Sequence, residues 1–446
     1  MYHPAPSFRS AYDPYGRAGL PTGGADRTRV PPPGRLGAAA AAPDVLNVRT
    51  FGAVGDGRHD DTKAIQKAVS TVEGSIDPNT HGFAAVALYF PPGLYRVTEP
   101  IVIERRSARL TGCHGYGNWP TQGTRPGLGS ALLYDGASDG SLLELRDTRD
   151  SYIADLMLLS AAGAHAAIHA RSVEGADAGA NRNLRIERCH IGSYPFEPSY
   201  ASFTFPILFG GLNADNDRFS IRDVVLAAGA ETEACLRIEQ PQSIWGSCDC
   251  VSFEGGYGRR AVATGLSTAA SVSLFNCAFN RCRTDLRLES SANVSVYGYQ
   301  TERSARWVEF VPNDRGVSEG RLAVFGGVAQ ISDEMPQRDG GIYVVHASGL
   351  NGNAGLLWLG VKTYSRRGDT GRRAGWYVRA ADESSGTSIV IRDDPYWRPT
   401  DFDLAVTPAR RARAQRSAGA ARLHFALDNG AFAERVGLAE RETYRR

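Results

Sequence analysis

Lysine is almost missing from this chain. Lys63, Lys67 and Lys362 are the only three in 446 residues, so nearly all of the 50 Lys and Arg residues are arginine. The formal net charge is +2, which excludes a bulk electrostatic attraction to nucleic acid. Two readings of the arginine excess stay open. It reflects a GC-rich genome, or it supplies planar guanidinium forks for carboxylates and anionic sugars. Long apolar runs are missing too. No segment approaches the length of a membrane span. The first thirty residues hold no apolar core of a secretory signal, and the run Ala38 to Ala42 is too short to serve.

Cysteine is sparse and odd in number. Cys113, Cys189, Cys235, Cys248, Cys250, Cys277 and Cys282 show no framework spacing, which argues against a disulfide scaffold. Cys248-x-Cys250 with Cys277 and Cys282 invites a zinc site, but CxC lacks the usual ligand spacing. Alternate cysteines on a strand point to one face, so the favoured reading is thiols buried between layers. Free thiols fit synthesis in a reducing compartment. The segment Gly52 to Gly57, GAVGDG, lacks the GxGxxG spacing of a dinucleotide loop. No metal and no cofactor is expected.

What the chain has in plenty is glycine, 50 residues, as turn-rich β architecture requires. Its most organised stretch is Val45 to Ile103. Val45 to Val48 alternates as a strand. Gly52, Gly55 and Gly57 supply a turn, and Asp60 or Asp61 can cap a helix. Ile65, Ala68, Val69 and Val72 then give that helix one apolar stripe. Ala84 to Phe90 is a dense apolar run, Pro91-Pro92-Gly93 a turn, and Tyr95 to Ile103 resumes the strand pattern. A short one-striped helix between strands must cover something, and a lid on the open end of a β core is the sharper reading.

FGAVGDGRHDDTKAIQKAV followed by LYFPPGLYRV resembles the N-terminal signature of the pectate-lyase-like superfamily, which includes phage tailspikes and polygalacturonase-like enzymes. The resemblance implies an all-β fold: a right-handed single-stranded parallel β-helix with a short N-terminal capping α-helix. On this reading residues 45–397 form the β-helix, with 45–103 as cap and first coil. Residues 1–44, rich in Pro, Gly, Arg and Tyr without periodicity, are an irregular tail and a candidate particle anchor. Residues 398–446 are a basic linker followed by a hairpin or cap, the Arg cluster at 408–422 being read as solvated.

From Leu142 onward short β-like pieces recur. Asp249, Asn276, Gly298 and Gly326 occupy comparable positions 27, 22 and 28 residues apart, and Asp155 to Arg188 is a longer step of 33. Spacings in the twenties suit coils of three short strands with loops of variable length. The polygalacturonase signatures NTD, DD, GHG and RIK are not found as a set, and the clustered Asp plus Arg base of calcium-dependent lyases has no clear match. Asp56, Asp60 and Asp61 fall in the cap, where turn and N-cap roles explain them.

The sequence offers a column instead. Aligning SFEGG, AFNRC and QTERS puts Glu254, Asn280 and Glu302 at equivalent positions after a strand, and Gln330 continues the series. Two carboxylates two coils apart stand roughly 9.6 Å from each other at the backbone, near the ~6.5–9.5 Å of inverting glycoside hydrolysis. Hence Glu254 and Glu302 are the catalytic candidates. Asn280, Gln330, Tyr257, Tyr297, Tyr299 and Trp307 are the substrate-binding candidates, since aromatic faces stack on sugars. Trp245 and Trp358 lie near the same repeat. Asp285 and Glu289 alternate on one strand and form a second, weaker pair. Hydrogen bonding between neighbouring coils is the plainer role for all of these polar residues.

Two functions compete. One is a glycan-recognising spike, homotrimeric as in tailspikes, that attaches a phage or virus-like particle to capsule or lipopolysaccharide, with or without depolymerase activity. The other is a glycoside hydrolase or polysaccharide lyase acting on an acidic polysaccharide. Both expect a polysaccharide partner, no nucleic acid and no membrane span, at a virion or particle surface or outside the cell. Without a signal, release by lysis is the expected route for the first.

Overall fold

Apolar and polar residues alternate within each short repeat, and stacking the repeats turns that alternation into columns. In the computed structural model, Leu88, Leu110, Ile153, Ile186, Ile221, Cys248, Leu274, Val296, Val324 and Trp358 pair in register, strand to parallel strand. All ten are buried in one continuous core. A second column, Leu143, Ile168, Ile207, Leu236, Leu266, Leu286 and Val308, faces it from the other sheet. The structure describes residues 45–71, 85–113, 128–172, 180–193, 200–211, 215–256, 261–289, 291–331, 337–338, 341–350, 354–365, 374–380, 388–392 and 424–427. Val45–Arg446 is one compact unit.

Up to Asn280 each coil contributes two strands to a large parallel sheet and one to a second; beyond it one long strand, such as Asn293–Glu302, takes the place of the two. Gly246–Asp249 and Ser252–Glu254 lie in the first, and Thr264–Thr268 in the second. Among the described residues the strand pairings are parallel, apart from a short hairpin between Gln337–Arg338 and Gly341–Leu350 and one isolated bridge. This is the expected parallel β-helix.

The corner between the first two strands is set by one left-handed residue per coil: Asp155, Arg188, Asp223, Cys250, Asn276, Gly298, Gly326 and Gly360, with φ between 48° and 74°. Short polar residues and glycine tolerate this region best. The repeat positions chosen from sequence therefore hold for Asn276, Gly298 and Gly326, and for the Asp155–Arg188 step. Asp249 sits one residue too early, because Cys250 makes its corner. That also separates the two cysteines. Cys248 is buried while Cys250, at the corner, is exposed, and all seven described thiols are free.

Gly327 follows the corner with φ +128°, and a Cβ there would collide with the Tyr299 carbonyl oxygen. Gly326 has open space around it. Gly327→Ala is expected to cost on the order of 3 kcal/mol. Gly326→Asn should stay within about 1 kcal/mol, because asparagine already makes the same corner at position 276. Urea midpoints of the two variants check this.

The helix spans Thr62–Val69 and buries Ile65, Ala68 and Val69 in the main core cluster. Gln66 clasps the backbone of Val102 at 3.0 and 2.9 Å, fixing the helix over the first coil. Val45 to Val48 is shorter as a strand than expected. Leu46–Asn47 pairs, and a 3-10 turn begins at Val48. Asp61 stands at the N-cap position without capping. Its carboxylate accepts from Val54 N and Gly55 N at 2.6 and 3.0 Å, holding the glycine turn. Asp60 accepts from Thr62 N at 3.1 Å instead. Val72, the 1–44 tail and the Arg-rich 408–422 run lie outside the described residues.

Candidate functional site

The alignment of SFE, AFN and QTE becomes a physical column. Glu254 pairs in register with Asn280, and Asn280 with Glu302. Each ends a strand segment whose inward neighbour (Phe253, Phe279 or Thr301) is buried. The polar side chains therefore leave the coil at the corner leading to the second sheet. The outward positions two residues earlier are Ser252, Ala278 and Gln300. They are short or polar.

Burial pushes the Glu254 carboxyl up to about 7. Ser252, Arg281 and Asn280 pull the other way, while the charge of Glu302 adds to the rise. The Ser252 hydroxyl donates to Glu254 Oε1 at 2.6 Å. Glu302 is more open and lies 3.4 Å from Arg303 Nε. One column thus holds a carboxyl raised by burial to about 7 and an ion-paired carboxylate two coils away. Environments that differ in this way divide acid and base roles between paired carboxyls.

Gln330 follows Ala329, which pairs with Thr301, so it occupies the next step beside Glu302. It is buried, and its Oε1 has no hydrogen-bond partner. The aromatic candidates part company with the column. Tyr299 and Trp307 are fully buried and face no saccharide. Tyr299 packs on Phe279 and Trp358, and Trp307 stacks on Trp358 at 6.0 Å. Trp358 is likewise core. Tyr297 is exposed, but its ring is stacked between Phe275 and Phe325 with centroids 5.1 Å apart on each side. Only its edge meets solvent, so it offers no open face to a sugar. Tyr257 lies outside the described residues.

The second carboxyl pair does not form. Asp285 is in the core and accepts from Tyr299 Oη at 2.5 Å. Glu289 faces outward, bonded to Arg237 at 3.0 Å and to Ser267 at 2.8 Å. Trp245, by contrast, is 65% exposed, with the Arg218 guanidinium 4.9 Å from its ring centroid. Arg281 and Arg303, each directly after a column residue, were not singled out by the sequence. The signal was present in the equivalent NR and ER pairs of the aligned repeats.

Among the described residues no group of three or more His, Cys, Asp or Glu is arranged to hold a metal ion. Likewise no helix is long and apolar enough to cross a membrane.

A family model described as rhamnogalacturonase A/epimerase, pectate lyase-like, matches residues 45–134. A probable glucan endo-1,3-beta-glucosidase of Arthroderma benhamiae is 49% identical over 61 residues, 13% of this chain and 6% of that protein. A plasmin and fibronectin-binding protein A of Streptococcus pneumoniae is 42% identical over 59 residues, 13% of this chain and 7% of that protein. The chain thus matches less than a tenth of the length of either curated relative. Among solved structures, DFA-IIIase from Arthrobacter chlorophenolicus A6 in complex with GF2 is similar with TM-score 0.48 and 13% identity, covering 87% of this chain and 92% of that one. ORF18 of Geobacillus virus E2 gives 0.42 and 13%, covering 72% and 62%. Tailspike protein 2 of Escherichia coli O157:H7 bacteriophage CAB120 gives 0.36 and 14%, covering 82% and 46%. The family model thus matches the cap and first coils of this chain, and the parallel coil of strands continues beyond the matched residues.

Proposed function

We propose that the chain acts on a polysaccharide and hydrolyses it at the Glu254–Glu302 column. The carrying observation is the in-register series Glu254, Asn280, Glu302, with a carboxyl raised by burial to about 7 at one end. Glu254 donates its proton to the leaving glycosidic oxygen. Glu302, two strand spacings or about 9.6 Å away at the backbone, activates a water from the opposite face of the sugar. That separation supports inversion of the anomeric centre over retention, which needs carboxyls about 5–5.5 Å apart. Asn280, between them, hydrogen-bonds Glu254 and fixes its rotamer. A long glycan fits the setting, because equivalent outward positions repeat along the coil axis every ~4.8 Å.

The test is reducing-end release from a panel of bacterial and plant polysaccharides, with the product anomer read by NMR. Release with inversion is expected. Binding without release would overturn hydrolysis. It would favour instead the reading of this chain as a homotrimeric attachment spike on a particle surface. Retention would remove the roles given to Glu254 and Glu302.

A further inference from the structure

The first strand segment of each coil carries an outward residue directly before the corner. In successive coils it is Glu187, Arg222 and Asp249, then Phe275, Tyr297, Phe325 and Leu359, all paired in register. A charged series turns apolar at one step and stays so. Two positions earlier stand Ser295, Ala323 and Leu357, and the register carries that column on through Val390 and Ala426. Phe275 and Tyr297 are 39% and 42% exposed, and Val328, across the corner, is 40% exposed. The corner itself is Gly298, Gly326 and Gly360. A Cβ on Gly326 would meet nothing within 4 Å, so a flat partner can approach the rings closely.

Elsewhere the chain covers its outward apolar residues. Ala131, Leu133, Met157 and Leu159 form a cluster apart from the main core, at most 8% exposed, with Tyr200 packed against it. A saccharide does not account for the uncovered series. Its rings stack 5.1 Å apart and present edges, where a sugar needs a face. A contiguous apolar patch of this kind suits a protein surface.

The charges say which one. At one end of the series Asp223 and Asp249 share a single guanidinium, Arg222, at 3.7 Å each, which leaves one carboxylate in excess. Beside the other end, three residues after Leu359, Lys362 stands exposed. It is one of only three lysines in the chain. A second copy laid on the series in the same direction would put acid over acid. Turned end for end about a two-fold axis, it brings Lys362 to the acidic end and keeps ring against ring in the middle.

We propose that the face built on Phe275, Tyr297, Phe325 and Leu359 is the interface of an antiparallel homodimer. It lies across the corner from Glu254 and Glu302 and is independent of any reaction there. From Phe275 to Ala426 the face is five ladder steps tall. With the width from Ser295 to Gln300, that is on the order of 400 Å² per copy. Two copies bury about twice as much, below the ~1,200 Å² of a standard interface, so the dimer forms and parts with concentration.

Sedimentation velocity of the full chain over a dilution series tests this. Wild type is expected to pass from monomer to dimer as concentration rises. Tyr297→Arg and Phe275→Arg, both at outward positions, should stay monomeric while folded by circular dichroism. Asp249→Lys should weaken the dimer about ten-fold, because the contact occurs twice across a two-fold axis. Lys362→Glu added to Asp249→Lys restores opposite charges and should recover most of that loss. The proposal is overturned if wild type forms trimers, or if it stays monomeric at its highest soluble concentration, as it would if a different protein covered the face. It is overturned equally if the folded Tyr297→Arg and Phe275→Arg variants dimerise as wild type, or if the double exchange is no tighter than Asp249→Lys alone.

Discussion

Glu254→Gln is expected to lower glycan cleavage by about 10²–10⁴-fold, with binding retained, because it removes the proton donor and keeps the shape. The same residue sets the pH profile of the wild type. A carboxyl raised to about 7 by burial is protonated below that pH and ionised above it. A general acid works in its protonated form, so on the alkaline side kcat/KM should fall about ten-fold per pH unit above about 7. Glu254→Gln, having no proton to lose there, should show no such fall in its residual rate. Ser252→Ala removes a hydrogen bond that favours the ionised form, so the break in the profile should move to higher pH. A profile that keeps rising above 8, or a variant with more than a tenth of wild-type turnover, would move the acid role to another residue.

The second large effect concerns stability. Asp285 is fully buried, and burial pushes its carboxyl up to about 7, against the pull of Ser304, Tyr299 and Thr301. The folded chain therefore holds a proton that the unfolded chain releases near pH 3.8. Stability from this group is fully present below about pH 4 and is lost progressively as pH rises towards 7. The whole swing is on the order of 4 kcal/mol. Asp285→Asn keeps an acceptor for the Tyr299 hydroxyl and carries no proton to lose. It should be the more stable variant at pH 8 and close to wild type at pH 4. Urea titrations at both pH values, followed by tryptophan fluorescence, test this; equal pH slopes in the two proteins would refute it. Glu254 contributes in the same direction, so the measurement is best made in a Glu254→Gln background as well.

The fold was legible because its signature is local. The glycine turn, the one-striped helix and the run from Leu88 to Val97 lie within one stretch of sequence, and each element covers its neighbour. The column was legible because SFE, AFN and QTE end their strands at the same distance from the corner residues Cys250, Asn276 and Gly298. The direction of single side chains was not. Tyr297 and Tyr299 are two apart, and on an unbroken strand they would share a face. Gly298 lies between them in the left-handed region and resets the count, so one ring points out and the other in. Cys248 and Cys250 fail for a related reason. The pair Asp285 and Glu289 fails because Asp285 turns into the core to meet Tyr299. Parity is reliable only between corners, and the corners are visible only once the coils are stacked.

A carboxyl-to-carboxyl separation in an ordinary active site can be tuned by fractions of an ångström, through a loop shift or a change of rotamer. Here Glu254 and Glu302 belong to strands two ladder steps apart, and each step is fixed at about 4.8 Å by backbone hydrogen bonding. The backbone spacing is therefore quantised. Excising one whole coil from corner to corner, such as the 22 residues from Asn276 to Tyr297, would move it from two steps to one. It would then pass from the range suited to inversion towards that suited to retention, with no value in between. Within such a scaffold, stereochemical outcome is counted in integers.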